Sequence, residues 1–157
     1  MSFKELFNKD YAFGKLNEKR LINYLNRVEK KYFLVKNEFA YMDFKEYGNF
    51  NFLGELKSRT INIDKHDTAI IGKEKIGEAI KSHYLQDDKT YTFYYLYTDG
   101  LYKYDFNIED IHNGKIFLNW WYRYNRGKEE KKKVFYIKRE LLELVDKDFT
   151  SVSHDYV

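Results

Sequence analysis

The chain has neither cysteine nor proline among its 157 residues. Without cysteine there are no disulfides, no zinc–thiolate centre and no thiol nucleophile. The four histidines (His66, His83, His112 and His154) are scattered, and no two stand at the HxxxH spacing of a metal-binding helix. No apolar run approaches the roughly 20 residues that a membrane-spanning helix needs. The opening Met1-Ser2-Phe3-Lys4-Glu5 lacks the apolar stretch of a signal peptide. A soluble intracellular protein is the expectation. Missing proline, alongside abundant Lys, Asn, Tyr, Phe and Ile, fits an AT-rich coding sequence and carries no functional weight. Charge of one sign is also scarce: 28 basic residues are offset by 25 acidic ones, for a net +3. That balance permits nucleic-acid binding without demanding it.

Aromatic residues are what the chain has in excess. They make up 20% of it, with 16 Tyr and 13 Phe, many in alternating runs that predict a substantial sheet. A hydrophobic fraction of 43% excludes a disordered chain, and the length fits one domain over 1–157 with a core of its own.

Residues 1–14 read as an aromatic lead-in closed by Gly14. Over 15–31, Leu21, Leu25, Val28 and Tyr32 recur at helical spacing, widened by Leu16 and Ile22. Glu18 borders that apolar stripe; by itself it is accounted for as a solvated first-turn acid favoured by the helix dipole. Residues 33–47 predict a strand, Gly48-Asn49 a turn, and 51–59 the returning strand. Residues 60–71 read as a polar connection, and 73–84 as a helix burying Ile76, Ala79, Ile80 and Tyr84. The run Thr90 to Thr98 is the clearest strand, apolar enough to be covered on both faces. Asp99-Gly100 then predicts a turn into 101–106. Residues 115–124 and 133–138 predict a hairpin with a charged tip over 125–132. A short helix is expected over 139–145, and a frayed polar end after it. Helix, strands, helix and further strands in this order predict an α+β fold: a mixed central sheet flanked by helices, with an additional C-terminal β-hairpin.

The chemistry centres on Phe52-Leu53-Gly54-Glu55-Leu56-Lys57-Ser58. Side chains alternate along a strand, so Glu55 and Lys57 share one face while Leu56 enters the opposite layer. A hairpin between 33–47 and 51–59 brings Asp43 near Glu55. Two carboxylates placed among apolar neighbours repel, so one keeps its proton unless a cation joins them. A divalent metal resolves that conflict. The alternative is an exposed ion-pair face of Glu55 and Lys57, with a contribution of only tenths of a kcal/mol.

Asp43, eleven intervening residues and Glu55-Leu56-Lys57 resemble the signature of the PD-(D/E)XK nuclease superfamily, the fold of restriction endonucleases and many phage and viral nucleases. Asn62-Ile63-Asp64-Lys65, Thr68-Ala69-Ile70-Ile71-Gly72 and Tyr97-Thr98-Asp99-Gly100-Leu101-Tyr102 are similar to small phage and large-DNA-virus members of it. The resemblance implies a restriction-endonuclease-like αβββαβ core, whose third strand comes from 60–71 or from a rearrangement there. It implies metal-dependent hydrolysis of DNA phosphodiesters, with RNA as the other substrate, and a host cytoplasmic or nuclear setting if the protein is viral. Asp43 and Glu55 would bind Mg²⁺ or Mn²⁺, joined by the Leu56 carbonyl. Lys57 would position the attacking water or stabilise charge on the scissile phosphate. Glu18 matches the first-helix acid that holds a second metal or orients water. Met42 stands where the signature carries its proline, which is not a ligand. A homodimer is implied where both strands of a duplex are cut.

Phosphate-contact candidates are Arg59, Lys65, Lys73 and Lys75 near this stretch, and Arg123, Arg126, Lys128 and 131–133 at the late hairpin. Trp120-Trp121-Tyr122 could stack on bases, with at least one Trp expected in the core. Ser58 more simply ends its strand, and His66 is a lone histidine on a loop. The rival functions are a catalytically inactive nucleic-acid or protein-interaction module that keeps this fold, and a structural assembly component.

Overall fold

A computed structural model describes residues 2–29, 32–34, 42–46, 49–125 and 127–151. Helix α1 runs over Phe3–Val28, twelve residues earlier than its apolar periodicity indicates. The cause is a capping box. Ser2 accepts from the Glu5 N–H while the Glu5 carboxylate accepts from the Ser2 N–H, so two orphan donors of the first turn are satisfied. Gly14 is therefore an interior helix position, not the end of a lead-in.

Strands β1 (Tyr32–Leu34), β2 (Phe44–Glu46) and β3 (Asn49–Ser58) follow. The single strand expected over 33–47 is thus two short strands, antiparallel to each other, with 35–41 outside the described residues. A bend at Met42 and Asp43 separates their patterns: Met42 enters one apolar cluster and Phe44, two residues on, the cluster on the other side of the sheet. Strand β4 (Thr68–Gly72) arises from what reads as a polar connection, after a 3₁₀ turn over Ile63–Lys65. Its Ala69 and Ile71 are buried. Helix α2 (Lys73–Leu85), β5 (Thr90–Tyr97) and β6 (Gly100–Asp105) come next. The β5–β6 turn is Thr98-Asp99, one residue earlier than expected, because Gly100 already pairs with Tyr97 at a φ of 152°. A short α3 (Glu109–His112) leads to β7 (Ile116–Asn125) and β8 (Lys128–Lys138). The expected charged tip is mostly strand, with Lys128 to Lys133 in register against β7. The segment read as a final helix is a 3₁₀ turn at Arg139–Leu141 and then strand β9 (Glu143–Asp146).

The fold is α+β. One mixed six-stranded sheet has the order β1-β2-β3-β5-β6-β9, in which β3 and β5 are parallel and the other pairs antiparallel. A second, antiparallel sheet has the order β4-β8-β7, so the late hairpin gains a third strand. Helix, three strands, helix and strand occur in that order; the third strand comes from the division of 33–47, and β4 joins the other sheet. Strand β5 is buried on both faces. Phe93, Tyr95 and Tyr97 join Ile76 and Ala79 of α2 and Ile71, Ile116 and Ile137 of the second sheet. Tyr94 and Leu96 join Leu21 and Leu25 of α1, Phe44 and Leu56. Helix α1 therefore covers one face of the large sheet, and α2 with the small sheet covers the other. No helix among the described residues is long and apolar enough to cross a membrane.

Candidate active site

Glu55 is placed by the alternation of β3. Leu56 points into the α1 layer, so Glu55 and Lys57 turn towards the layer of Phe93 and Tyr95, their partners on β5. Glu55 is 3% exposed. Gly54 permits the close approach of β2, because a Cβ there would collide with the Phe44 ring. Phe44 pairs directly with Gly54, and this register sets Asp43 beside the Glu55–Leu56 peptide. The Leu56 N–H donates to Asp43 Oδ2 at 2.9 Å. Asp43 thus fastens the bend before β2 to the strand that carries the second carboxylate.

Two ammonium groups meet Glu55. Lys57 Nζ lies 3.7 Å from Oε1, and Lys75 Nζ, from the first turn of α2, lies 3.2 Å from Oε2. Burial, and then repulsion from Asp43, outweigh the two lysines and push the Glu55 carboxyl up to about 7. Burial and Asp43 also raise Glu18, although Lys15 donates to its Oε2 at 3.2 Å. Asp43 is therefore the charge felt by both glutamates, and Lys75 acts favourably on both.

A cleft of about 480 Å³ opens over this edge, lined by Asp10, Gly14 and Glu18 of α1 and by Leu56, Lys57, Ser58 and Arg59. Positions 10, 14 and 18 lie on one helix face. Gly14 leaves the space above it open. The capping signature Ser2-Phe3-Lys4-Glu5 is the sequence signal that could have placed Asp10 here. Arg59 also walls a second cleft of about 690 Å³.

Of the expected site residues, Asp43, Glu55 and Lys57 thus come together, and Glu18 shares the cleft with Lys57 and feels the charge of Asp43. Lys75, expected to contact phosphate, is instead the closest cation to Glu55, a pairing no local pattern reveals because α2 and β3 meet only in the folded chain. Lys65 and Lys73 are exposed and line neither cleft. Arg123 sits on β7 with its Nε 2.6 Å from Glu130 Oε2, and Arg126 lies outside the described residues. Neither tryptophan is core: Trp120 is 42% exposed and Trp121 is half-buried in the wall of the second cleft. Both faces of a two-stranded projection stay open beyond the body of the sheet, which is why the aromatic pair escapes burial.

Among the described residues no three histidine or acidic side chains form a metal-binding cluster. Asp43 and Glu55 nevertheless fit a hard divalent cation. They are two neighbouring carboxylates, and the charge of Asp43 is one of the causes that raise the proton affinity of the buried Glu55. Mg²⁺ commonly takes only one or two protein carboxylates and completes its shell with water and phosphate. No protein-family model matches the chain, and neither a curated protein nor a solved structure matches it significantly.

Proposed function

We propose that this chain is a metal-dependent nuclease that hydrolyses DNA phosphodiesters. The observation that carries this reading is the buried Glu55, held beside Asp43 and between Lys57 and Lys75, with Lys57 also lining the open cleft that Glu18 borders. Asp43, Glu55 and the Leu56 carbonyl would hold Mg²⁺ or Mn²⁺. A bound ion there supplies Lewis-acid polarisation of a phosphate and a water of lowered pKa.

The chain's own residues supply the rest. Lys57, partly exposed in the cleft, donates to the attacking water or to the oxygens of the scissile phosphate as their charge grows. Lys75 keeps Glu55 oriented and favours its ionised form. Glu18, with its proton affinity raised, can exchange a proton with water in the cleft. Arg59 follows Lys57 by two residues along the cleft wall and suits a neighbouring phosphate. The order of helix, three strands, helix and strand supports the reading, as does Glu55-Leu56-Lys57 lying on the strand after Asp43.

The test is incubation of linear, circular, single-stranded and branched DNA with Mg²⁺ or Mn²⁺ and with chelator. Metal-dependent cleavage is expected, with loss in Lys57→Ala at an unchanged melting temperature. Full activity in Lys57→Ala would falsify the assignment. One observation favours a second reading, a nucleic-acid-binding module without catalysis: two lysines already surround the Glu55 charge. That reading expects DNA binding, no cleavage of any form and no stabilisation by divalent metal.

A further inference from the structure

The second cleft has the walls of a base-binding pocket. Its volume, about 690 Å³, falls in the range of small-molecule sites. Phe117 and Tyr136 stack across the β7–β8 pair, 5.5 Å apart and within 8° of parallel, and Trp121 and Tyr97 complete an aromatic lining. The polar side chains on the wall besides tyrosine are Arg59, His66, Asp67, Thr68 and Asn119. Cations collect around the indole of Trp121, with the Arg123 guanidinium 5.4 Å and the Lys132 ammonium 5.2 Å from its ring centre. Most telling is Arg59, which walls both this pocket and the cleft of Glu18 and Lys57. A planar aromatic ligand bearing a phosphate, lodged here, would present that phosphate towards Arg59, which also lines the cleft of Lys57.

We infer that this pocket receives one unpaired nucleobase of the DNA strand whose adjoining phosphodiester lies in the cleft of Glu18 and Lys57. The inference deepens the nuclease reading and rests on it for the identity of the neighbouring site. Every base has a π-face, so stacking on Trp121 is tolerant of sequence, while Asn119 and Asp67 offer a donor and an acceptor to a base edge. A base inside a duplex is stacked and paired on all sides, so the pocket selects single-stranded, frayed or extruded nucleotides.

The test is binding in chelator, so that nothing is cut. Anisotropy of a labelled single-stranded oligonucleotide is compared with that of an abasic oligonucleotide of equal length and charge. A free nucleoside 5′-monophosphate serves as competitor. The base-bearing strand is expected to bind about tenfold more tightly than the abasic one, the order of one aromatic–base stack. Trp121→Leu should erase that difference and Trp120→Leu should keep it. Equal binding of the two strands by the wild-type protein overturns the inference, whatever the variants do. So does a preserved difference in Trp121→Leu, the absence of binding, or a mononucleotide that competes as well as the strand. Cleavage in Mn²⁺ is scored separately. Base-dependent binding without cleavage sinks the nuclease reading alone; cleavage with base-independent binding sinks the pocket alone.

Discussion

Replacing Glu55 with glutamine should stabilise the protein at neutral pH, against the usual rule that a buried ion pair must not lose one partner. Glu55 is almost wholly buried, and its carboxyl titrates at about 7 in place of the ordinary 4.5. Desolvation and Asp43 thus cost the ionised form more than Lys57 and Lys75 return to it. The sign follows from proton linkage. Between 4.5 and about 7 the folded chain holds a proton here that the unfolded chain has released, so this group's contribution is intact below 4.5. It is lost as the pH rises through 7. At about 1.4 kcal/mol for each tenfold change in the protonation equilibrium, the ionised carboxylate costs about 3 kcal/mol above that window.

Glutamine has the shape of the protonated acid and does not titrate. Urea unfolding of wild type and Glu55→Gln, in chelator and at a series of pH values, should give coincident stabilities near pH 4. The two should diverge through the window and reach a gap of about 3 kcal/mol in favour of the variant at pH 8. In a chain of 157 residues such a gap is a rise in Tm of roughly 6–12 °C. The refuting result is a variant less stable than wild type by about 3–5 kcal/mol at pH 8, the cost of leaving Lys75 and Lys57 without their anion in a site where pairing dominates. The same variant should lose cleavage, so stability and function are opposed at this carboxylate.

Saturating Mg²⁺ or Mn²⁺ should raise the Tm of the wild type and leave Glu55→Gln unmoved, by about 2.7 kcal/mol at a hundred times Kd; equal shifts in both would place the ion elsewhere. Lys75→Met removes the closest cation from Glu55 and should move the acid limb of the cleavage rate to higher pH, a displacement absent from Lys73→Met. Gly54→Ala puts a methyl group into the Phe44 ring and should cost about 1–3 kcal/mol on thermal unfolding, with lower activity as β2 and Asp43 shift. Ser2→Ala opens the capping box and should cost about 1 kcal/mol, read as faster amide exchange confined to the first turns of α1.

Much of the site is legible because Glu55 lies on a strand and Asp43 stands one residue before that strand's hairpin partner. Alternation alone assigns Glu55 and Lys57 to one face, and a hairpin of any register brings Asp43 within reach of them. What alternation hides is irregularity. Met42 and Phe44 have the same parity yet enter opposite clusters, because a bend at Asp43 turns the chain between them. That bend is also functional in the proposed reading, since it frees the Asp43 carboxylate from the ladder and lets it accept the Leu56 N–H. Strand β9 reads as helix because Leu141, Leu142 and Leu144 fit either period over so short a run, and pairing with Lys103 and Tyr102 decides it. Strand β4 lay hidden behind polar residues 60–67, although its Ala69 and Ile71 alternate inward. Lys75 had no local signal at all. Its role depends on α2 starting where β4 ends, with its first turn packed over the Glu55 face of a strand that pairs with neither. A carboxylate pair can therefore be read from one strand and its neighbour, whereas the burial that raises Glu55 and the nearest cation that opposes it depend on elements far along the chain. The titration of Glu55 is a property of that tertiary arrangement, and the pH dependence of Glu55→Gln measures it directly.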